Sequence, residues 1–256
     1  MKKIITALCL FLMSFNAYSQ SVFTYSREKD IFLGVAALGV FASPFFVNNV
    51  PATMPVGLDK KDVNMLDRSL MFSYNRPLDK ISDYGVYALL VLPAISLAGN
   101  MKDINAWLTY GIMYTEALFL TFGTKDLLKN AIIRYRPYMY SGGIPDGLAD
   151  DYYNSFPSGS TALAFLSAGF LSATFSAEYP DSKWRIPIIA GAYTAAAGVA
   201  VCRIASGSHF LTDVFAGAVI GSLFGWAIPA LHKRQNNKNS ISINFTGNGF
   251  IAALKY

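Results

Sequence analysis

Long apolar blocks separated by short polar ones run the length of the chain. Apolar stretches at residues 31–47, 84–99, 106–122, 158–177, 186–201 and 209–231 each reach or approach the roughly 20 residues that cross a bilayer as a helix. The pattern predicts an all-α polytopic membrane bundle of about six helices. The first block is short and carries Pro44 near its end, so it is read as failing to cross. Between blocks one and two, Val63, Leu66, Leu70, Met71 and Tyr74 fall at helical spacing with Lys60, Lys61, Asp62, Asp67 and Arg68 on other faces. That predicts an amphipathic helix on the membrane surface or a solvated one. The last three blocks are dense in small residues, Gly191 to Gly198 and Gly217 to Gly221 among them, which lets membrane helices approach closely. Beyond residue 232, Ile241, Ile243 and Phe245 alternate with polar residues, and residues 246–249 can turn the chain back, a hairpin pattern.

Composition agrees with the pattern: 53% of the 256 residues are hydrophobic and 14% charged, against about a quarter charged in a soluble domain. Residues 1–19 have the form of a secretory leader, with Lys2 and Lys3, an apolar run, and Ala17 and Ser19 at the positions read for cleavage. The remaining expected divisions are 20–82, an N-terminal helix with the amphipathic segment; 83–232, the helical core; and 233–256, a polar tail. A net charge of +5, two of it from Lys2 and Lys3, is too small to indicate a nucleic-acid partner. Cys9 and Cys202 are the two cysteines, so no thiolate metal cluster can form, and Cys202 is expected to be a small buried residue. Glu116 stands mid-block: a functional candidate at that depth, or an acid bonded to a neighbouring Tyr or Thr.

Three polar sites recur at block ends. Lys129 precedes Arg136 and Pro137 by two helical turns. Ser155 to Thr161, reading Ser-Phe-Pro-Ser-Gly-Ser-Thr, leads into a helix whose free N–H groups and dipole favour an anion. Arg203 precedes His209, which stands one helical turn before Asp213. Because successive spans reverse direction, the three sites share one face of the membrane. Two arginines, a lysine, a helix N-terminus and a histidine near a carboxylate suit a phosphoryl group that imidazole attacks, with Asp213 fixing the imidazole tautomer and stabilising its cation.

This combination resembles the type 2 phosphatidic acid phosphatase family, which shares its site with bacterial acid phosphatases and vanadium haloperoxidases. The resemblance rests on Lys129 with Arg136-Pro137, on Pro157-Ser158-Gly159-Ser160, and on Cys202-Arg203 with His209 and Asp213, and it covers residues 84–231. It implies a metal-independent phosphohydrolase with no cofactor. His209 would be the nucleophile, Asp213 its support, and Lys129, Arg136, Ser158, Gly159, Ser160 and Arg203 the phosphate ligands. The implied substrate is a lipid phosphate such as phosphatidate, polyprenyl diphosphate or a lipid A phosphate, met among membrane lipids. The family carries histidine, the general acid, where this chain has Ser160. His232 lies roughly 30 Å away by helix rise and cannot replace it, which leaves Asp146, Asp150 or Asp151 as proton donors, or a substrate whose leaving group needs little protonation. Two rival readings keep these residues: a non-catalytic phosphate or phospholipid binder, and a vanadate-dependent haloperoxidase, which also needs the missing histidine.

Basic residues at Arg27, Lys29, Lys102, Lys183, Arg185, Lys233 and Arg234 fall on one side of a six-span arrangement. By the positive-inside rule they place the pocket on the periplasmic face of a bacterial inner membrane. A cleaved leader would invert six spans, and a first block that does not cross removes the conflict.

Overall fold

The computed structural model describes residues 22–234, apart from 48, 52, 54, 56, 101, 102, 149 and 150, together with residues 240–246 and 249–255. The leader and Lys102 lie outside the described residues. The protein is an all-α membrane bundle, with helices α1 (Arg27–Ala42), α2 (Met65–Arg68), α3 (Arg76–Leu90), α4 (Ile104–Ala131), α5 (Gly159–Glu178), α6 (Arg185–Ala205) and α7 (Leu211–His232). Five helical segments, at Arg27–Phe46, Arg76–Ala98, Gly159–Glu178, Arg185–Ala205 and Leu211–His232, are long and apolar enough to cross a membrane. The more polar α4 is the sixth bundle helix, 28 residues long. The hairpin expected in the tail is present: β1 (Ser240–Thr246) pairs antiparallel with β2 (Gly249–Lys255), Phe245 opposite Phe250.

Helix α5 is central. On one side Leu166 and Phe170 join Met113, Ala117 and Ile228 from α4 and α7. On the other, Ala164, Ala168 and Leu171 meet Val86 and Leu89 of α3 and Ala192, Ala196 and Val199 of α6. Phe32, Tyr84, Tyr87, Ile186, Phe215, Leu223 and Trp226 are exposed on the outer faces, an apolar belt suited to lipid.

Helix α5 packs most extensively on α7, and the close approach follows from glycine spacing. Cβ atoms added at Gly217, Gly221 and Gly225 would collide with the backbone carbonyls of Ser158, Ala162 and Leu166 respectively. Three glycines four residues apart therefore bring the start of α7 against the start of α5, where Ser158 N donates to Asp213 O at 3.0 Å. Replacing Gly221 by alanine forces the helices apart. We expect a loss of about 1–3 kcal/mol, read as a lower thermal midpoint in detergent, with Gly191→Ala as the neutral control. Gly191 and Gly198 of α6, counted above among close-packing residues, have no such role: an added Cβ there meets nothing within 4 Å. Cys202 is half-buried rather than buried.

Two expectations for the N-terminal part are corrected. The first block traverses the whole bundle. At one end of α1, Asp30 contacts His232, the last residue of α7. Beyond its other end, in the 3₁₀ turn Ser43–Phe46, Pro44 O accepts from Asn130 Nδ2 at 2.9 Å, while Phe41 stacks on Phe119 of α4. Pro44 is the second residue of the 3₁₀ turn, where its missing N–H costs nothing, so it does not shorten the span. The segment at 60–74 forms no amphipathic helix, only a 3₁₀ turn at Lys60–Asp62 and the single turn α2. Leu66 is 61% exposed whereas Asp67 is fully buried, so the polar residue anchors the segment. The second apolar block also starts earlier than its hydropathy shows, because Asn75 caps α3 by accepting from Leu78 N at 3.1 Å.

Candidate active site

Extended backbone delivers the first group of side chains. Arg134 N donates to Tyr153 O at 3.0 Å, Arg136 N to Tyr152 O at 2.9 Å, and Ser155 N to Arg134 O at 3.0 Å. Residues 134–136 thus run beside 152–155, and alternation along an extended strand sends Arg134 and Arg136 to the same side. Gly207, at φ +69°, turns the chain between α6 and α7 where a Cβ would strike Phe72 O and Ser73 O. The turn ends on His209, 3% exposed.

His209 Nδ1 lies 2.8 Å from Ser155 O. A carbonyl oxygen only accepts, so Nδ1 carries the proton and Nε2 presents a lone pair. Arg136 Nη1 donates to that Nε2 at 3.2 Å and to Ser208 O at 2.9 Å. Burial first, then the cations of Arg136, Lys129 and Arg203, hold the imidazole well below its usual pKa, so it is neutral at pH 7.

Asp213 is fully buried one turn along, but it does not hydrogen-bond His209. Its Oδ2 is 3.7 Å from Nδ1, accepting instead from Ser155 Oγ at 2.5 Å and from Phe210 N at 2.9 Å. The tautomer expected from Asp213 is set by the Ser155 carbonyl. Asp213 braces the residues on either side and lies close enough to stabilise positive charge on the ring.

Sequence reasoning missed the partner of Asp213. Arg134 bridges Asp213, through Nη1, and Asp67 of α2, through Nη2 at 2.5 Å. Asp67 also accepts from Thr212 N at 2.9 Å and Thr212 Oγ1 at 2.7 Å. Burial alone would raise the Asp67 pKa, but the bonds from Thr212, Asn64 and Arg134 outweigh it and hold the carboxyl below its usual range. Arg134, two residues before Arg136 on an extended segment, carried a usable signal. Asp67 did not, because its partners are 67 and 145 residues away.

In the cradle, α5 begins at Gly159 and Ser158 is its N-cap, with Oγ 3.4 Å from Thr161 N and 2.9 Å from Thr161 Oγ1. Ser158 is fully buried and spent on capping. The free amides of the first turn are left to a ligand. Lys125, also missed, lies over that turn, its Nζ 3.8 Å from where a Gly159 Cβ would be. That ammonium is paired with the carboxylate of Asp126, Nζ donating to Oδ1 at 2.5 Å. Lys129 Nζ donates to Asn154 O, the residue before Ser155.

Arg203 closes the other side. Nη1 donates to Asp79 Oδ1 at 2.5 Å, and Nη2 donates to Asp83 Oδ1 at 2.8 Å and contacts Ser160 Oγ. Ser208 Oγ donates to Asp79 at 2.6 Å. Asp79 and Asp83, one turn apart on α3, share Arg203 with Ser160. Of the proton donors expected from the loop, Asp151 is committed to Arg136 and Asp150 lies outside the described residues. No hydrogen bond links Asp146 to the site among the described residues. The structure thus brings Arg136, Arg203, His209 and Asp213 into one linked site with Ser160, and sets Lys129 and Gly159 at its edge.

A buried imidazole, converging cations and a helix N-terminus gather at one end of a membrane bundle, an arrangement that suits a phosphate group. The chain belongs to the PAP2 superfamily, whose model matches residues 108–237. Over 99 residues it is 36% identical to a lipid A 1-phosphatase of Porphyromonas gingivalis (strain ATCC 33277), a match covering 38% of this chain and 20% of that relative. The aligned part thus spans about a fifth of that curated relative. A solved structure, the first transmembrane PAP2 type phosphatidylglycerolphosphate phosphatase from Bacillus subtilis, aligns with 17% identity and a TM-score of 0.46, covering 79% of this chain and 95% of that one.

Proposed function

We propose that the protein is a membrane phosphatase that hydrolyses a lipid phosphate or diphosphate through a phosphohistidine on His209. The carrying observation is the neutral imidazole, with Nδ1–H fixed on Ser155 O and the Nε2 lone pair turned to Arg136, the cation that a phosphate would share. In the first step Nε2 bonds to phosphorus, the bond to the leaving oxygen breaks, and that oxygen takes a proton. In the second, water attacks phosphorus, the P–N bond breaks, and phosphate leaves. Arg136, Arg203, Lys129, Lys125 and the first amides of α5 hold the phosphoryl oxygens, where charge develops. The step uses no metal. Apolar helices around the site favour a lipid substrate of the phosphatidate, polyprenyl diphosphate or lipid A type. The basic residues Arg27, Lys29, Lys183, Arg185, Lys233 and Arg234 stand at the opposite end of the bundle, and the pocket is read as facing the periplasm across an inner membrane. Since α1 crosses, that orientation requires that the N-terminal leader not act as an export signal.

The carboxylates on Arg203 are the candidates for the leaving-group proton. In the structure Arg203 is engaged by Asp79 and Asp83. Asp83, the more exposed of the two, is the carboxyl we assign to the leaving-group proton.

The test is phosphate release by the purified protein from phosphatidate, polyprenyl diphosphate and lipid A, with His209→Ala as control. His209-dependent release from at least one is expected. None from any would favour a non-catalytic phosphate binder, a reading that Ser160 in place of the family's acid supports. Ser160→His should raise turnover about a hundredfold or more for a poor leaving group such as the alcohol of phosphatidate, and far less for a diphosphate. An equal gain on both, or no gain, would contradict the leaving-group argument.

A further inference from the structure

At the end of the bundle remote from His209, three helices converge on a polar cluster that the chemistry above does not use. Asp30 from the first turn of α1, Glu116 from mid-α4 and His232 from the end of α7 are 0%, 4% and 1% exposed. One donor atom from each lies within 4.8 Å of the others.

The proton count makes the cluster unusual. His232 Nδ1 is 2.9 Å from Ile228 O, so the proton sits there and Nε2 directs a lone pair into the cluster. That Nε2 contacts Asp30 Oδ1 and is 3.5 Å from Glu116 Oε2. The other Asp30 oxygen accepts from Ser26 N at 2.5 Å. With both acids ionised, three acceptors face one another. A second proton on the ring satisfies Asp30 but not Glu116, both of whose oxygens are buried with no hydrogen-bond partner among the described residues. A divalent cation satisfies all three, since two carboxylates and a neutral imidazole cancel its charge, as an apolar interior demands. A histidine that gives its outer N–H to a backbone carbonyl is also the usual metal-ligating arrangement.

We propose that Asp30, Glu116 and His232 bind a divalent ion of the zinc class, suited to a mixed nitrogen and oxygen donor set with a fourth position left for water. The ion ties α1 to α4 and α7. It lies roughly 30 Å from the phosphate pocket by the rise of α7, so its role is structural and the phosphoryl chemistry remains metal-free.

The test uses the full chain in detergent, stripped with chelator, then titrated with zinc while metal content and thermal midpoint are followed. About one zinc per chain, retained through gel filtration and accompanied by a rise of several degrees, is expected. Glu116→Gln, close in shape and unable to supply an anionic ligand, should weaken zinc binding at least about tenfold and remove the thermal response. Wild-type protein that binds no stoichiometric zinc on reconstitution would overturn the proposal, as would Glu116→Gln binding zinc like the wild type. The wild-type titration decides even where the variant does not fold, and neither reading depends on phosphatase activity.

Discussion

His209→Ala should abolish phosphate release, lowering kcat roughly 10⁴- to 10⁶-fold, the range in which removal of an enzyme's nucleophile falls. The remaining cations would still hold the lipid phosphate, so binding measured directly should change much less than turnover. Rapid quench with a labelled substrate should trap label on the wild-type protein that is stable in base, lost in acid and absent from His209→Ala. Substantial residual turnover, or label on another residue, would exclude the phosphohistidine. The free imidazole, held low first by burial and then by Arg136, also predicts a pH profile. The nucleophile is the neutral ring, so the acid limb of kcat/KM due to His209 should fall below pH 6.5, the usual histidine value. Stability follows the same sign. Below pH 6.5 the unfolded chain takes up a proton that buried His209 refuses, so this contribution weakens as pH falls.

Arg134→Met should cost about 3–5 kcal/mol, the loss typical when one partner of a buried ionic network is removed. Asp67 and Asp213 are fully buried and share this guanidinium, so its removal leaves adjacent carboxylates without a cation. We expect a thermal midpoint in detergent lower by roughly 10 °C, with part recovered when Asp67→Asn removes one of the orphaned charges. Turnover should fall as well, because Asp213 holds Ser155, whose carbonyl orients His209. A fall no larger than that of the remote Arg27→Met, or no recovery in the double variant, would count against the network.

What the sequence determined by itself was the local part. Apolar blocks gave the bundle, because a bilayer demands long apolar helices. Motif spacing gave Lys129, Arg136, Gly159, Arg203, His209 and Asp213, because helix periodicity and reversal of successive spans put them at one end. Alternation in the tail gave the hairpin. Tertiary structure decided what each polar group touches. It gave the His209 proton to Ser155 O rather than Asp213, spent Ser158 on a cap, and turned an expected surface helix into the support for Asp67. It also placed Asp79 and Asp83 on Arg203 and joined Asp30 and Glu116 to His232. Those pairings join residues as far as 202 positions apart. The energy of a buried charge depends on which partner meets it in space, and no periodicity along the chain encodes that.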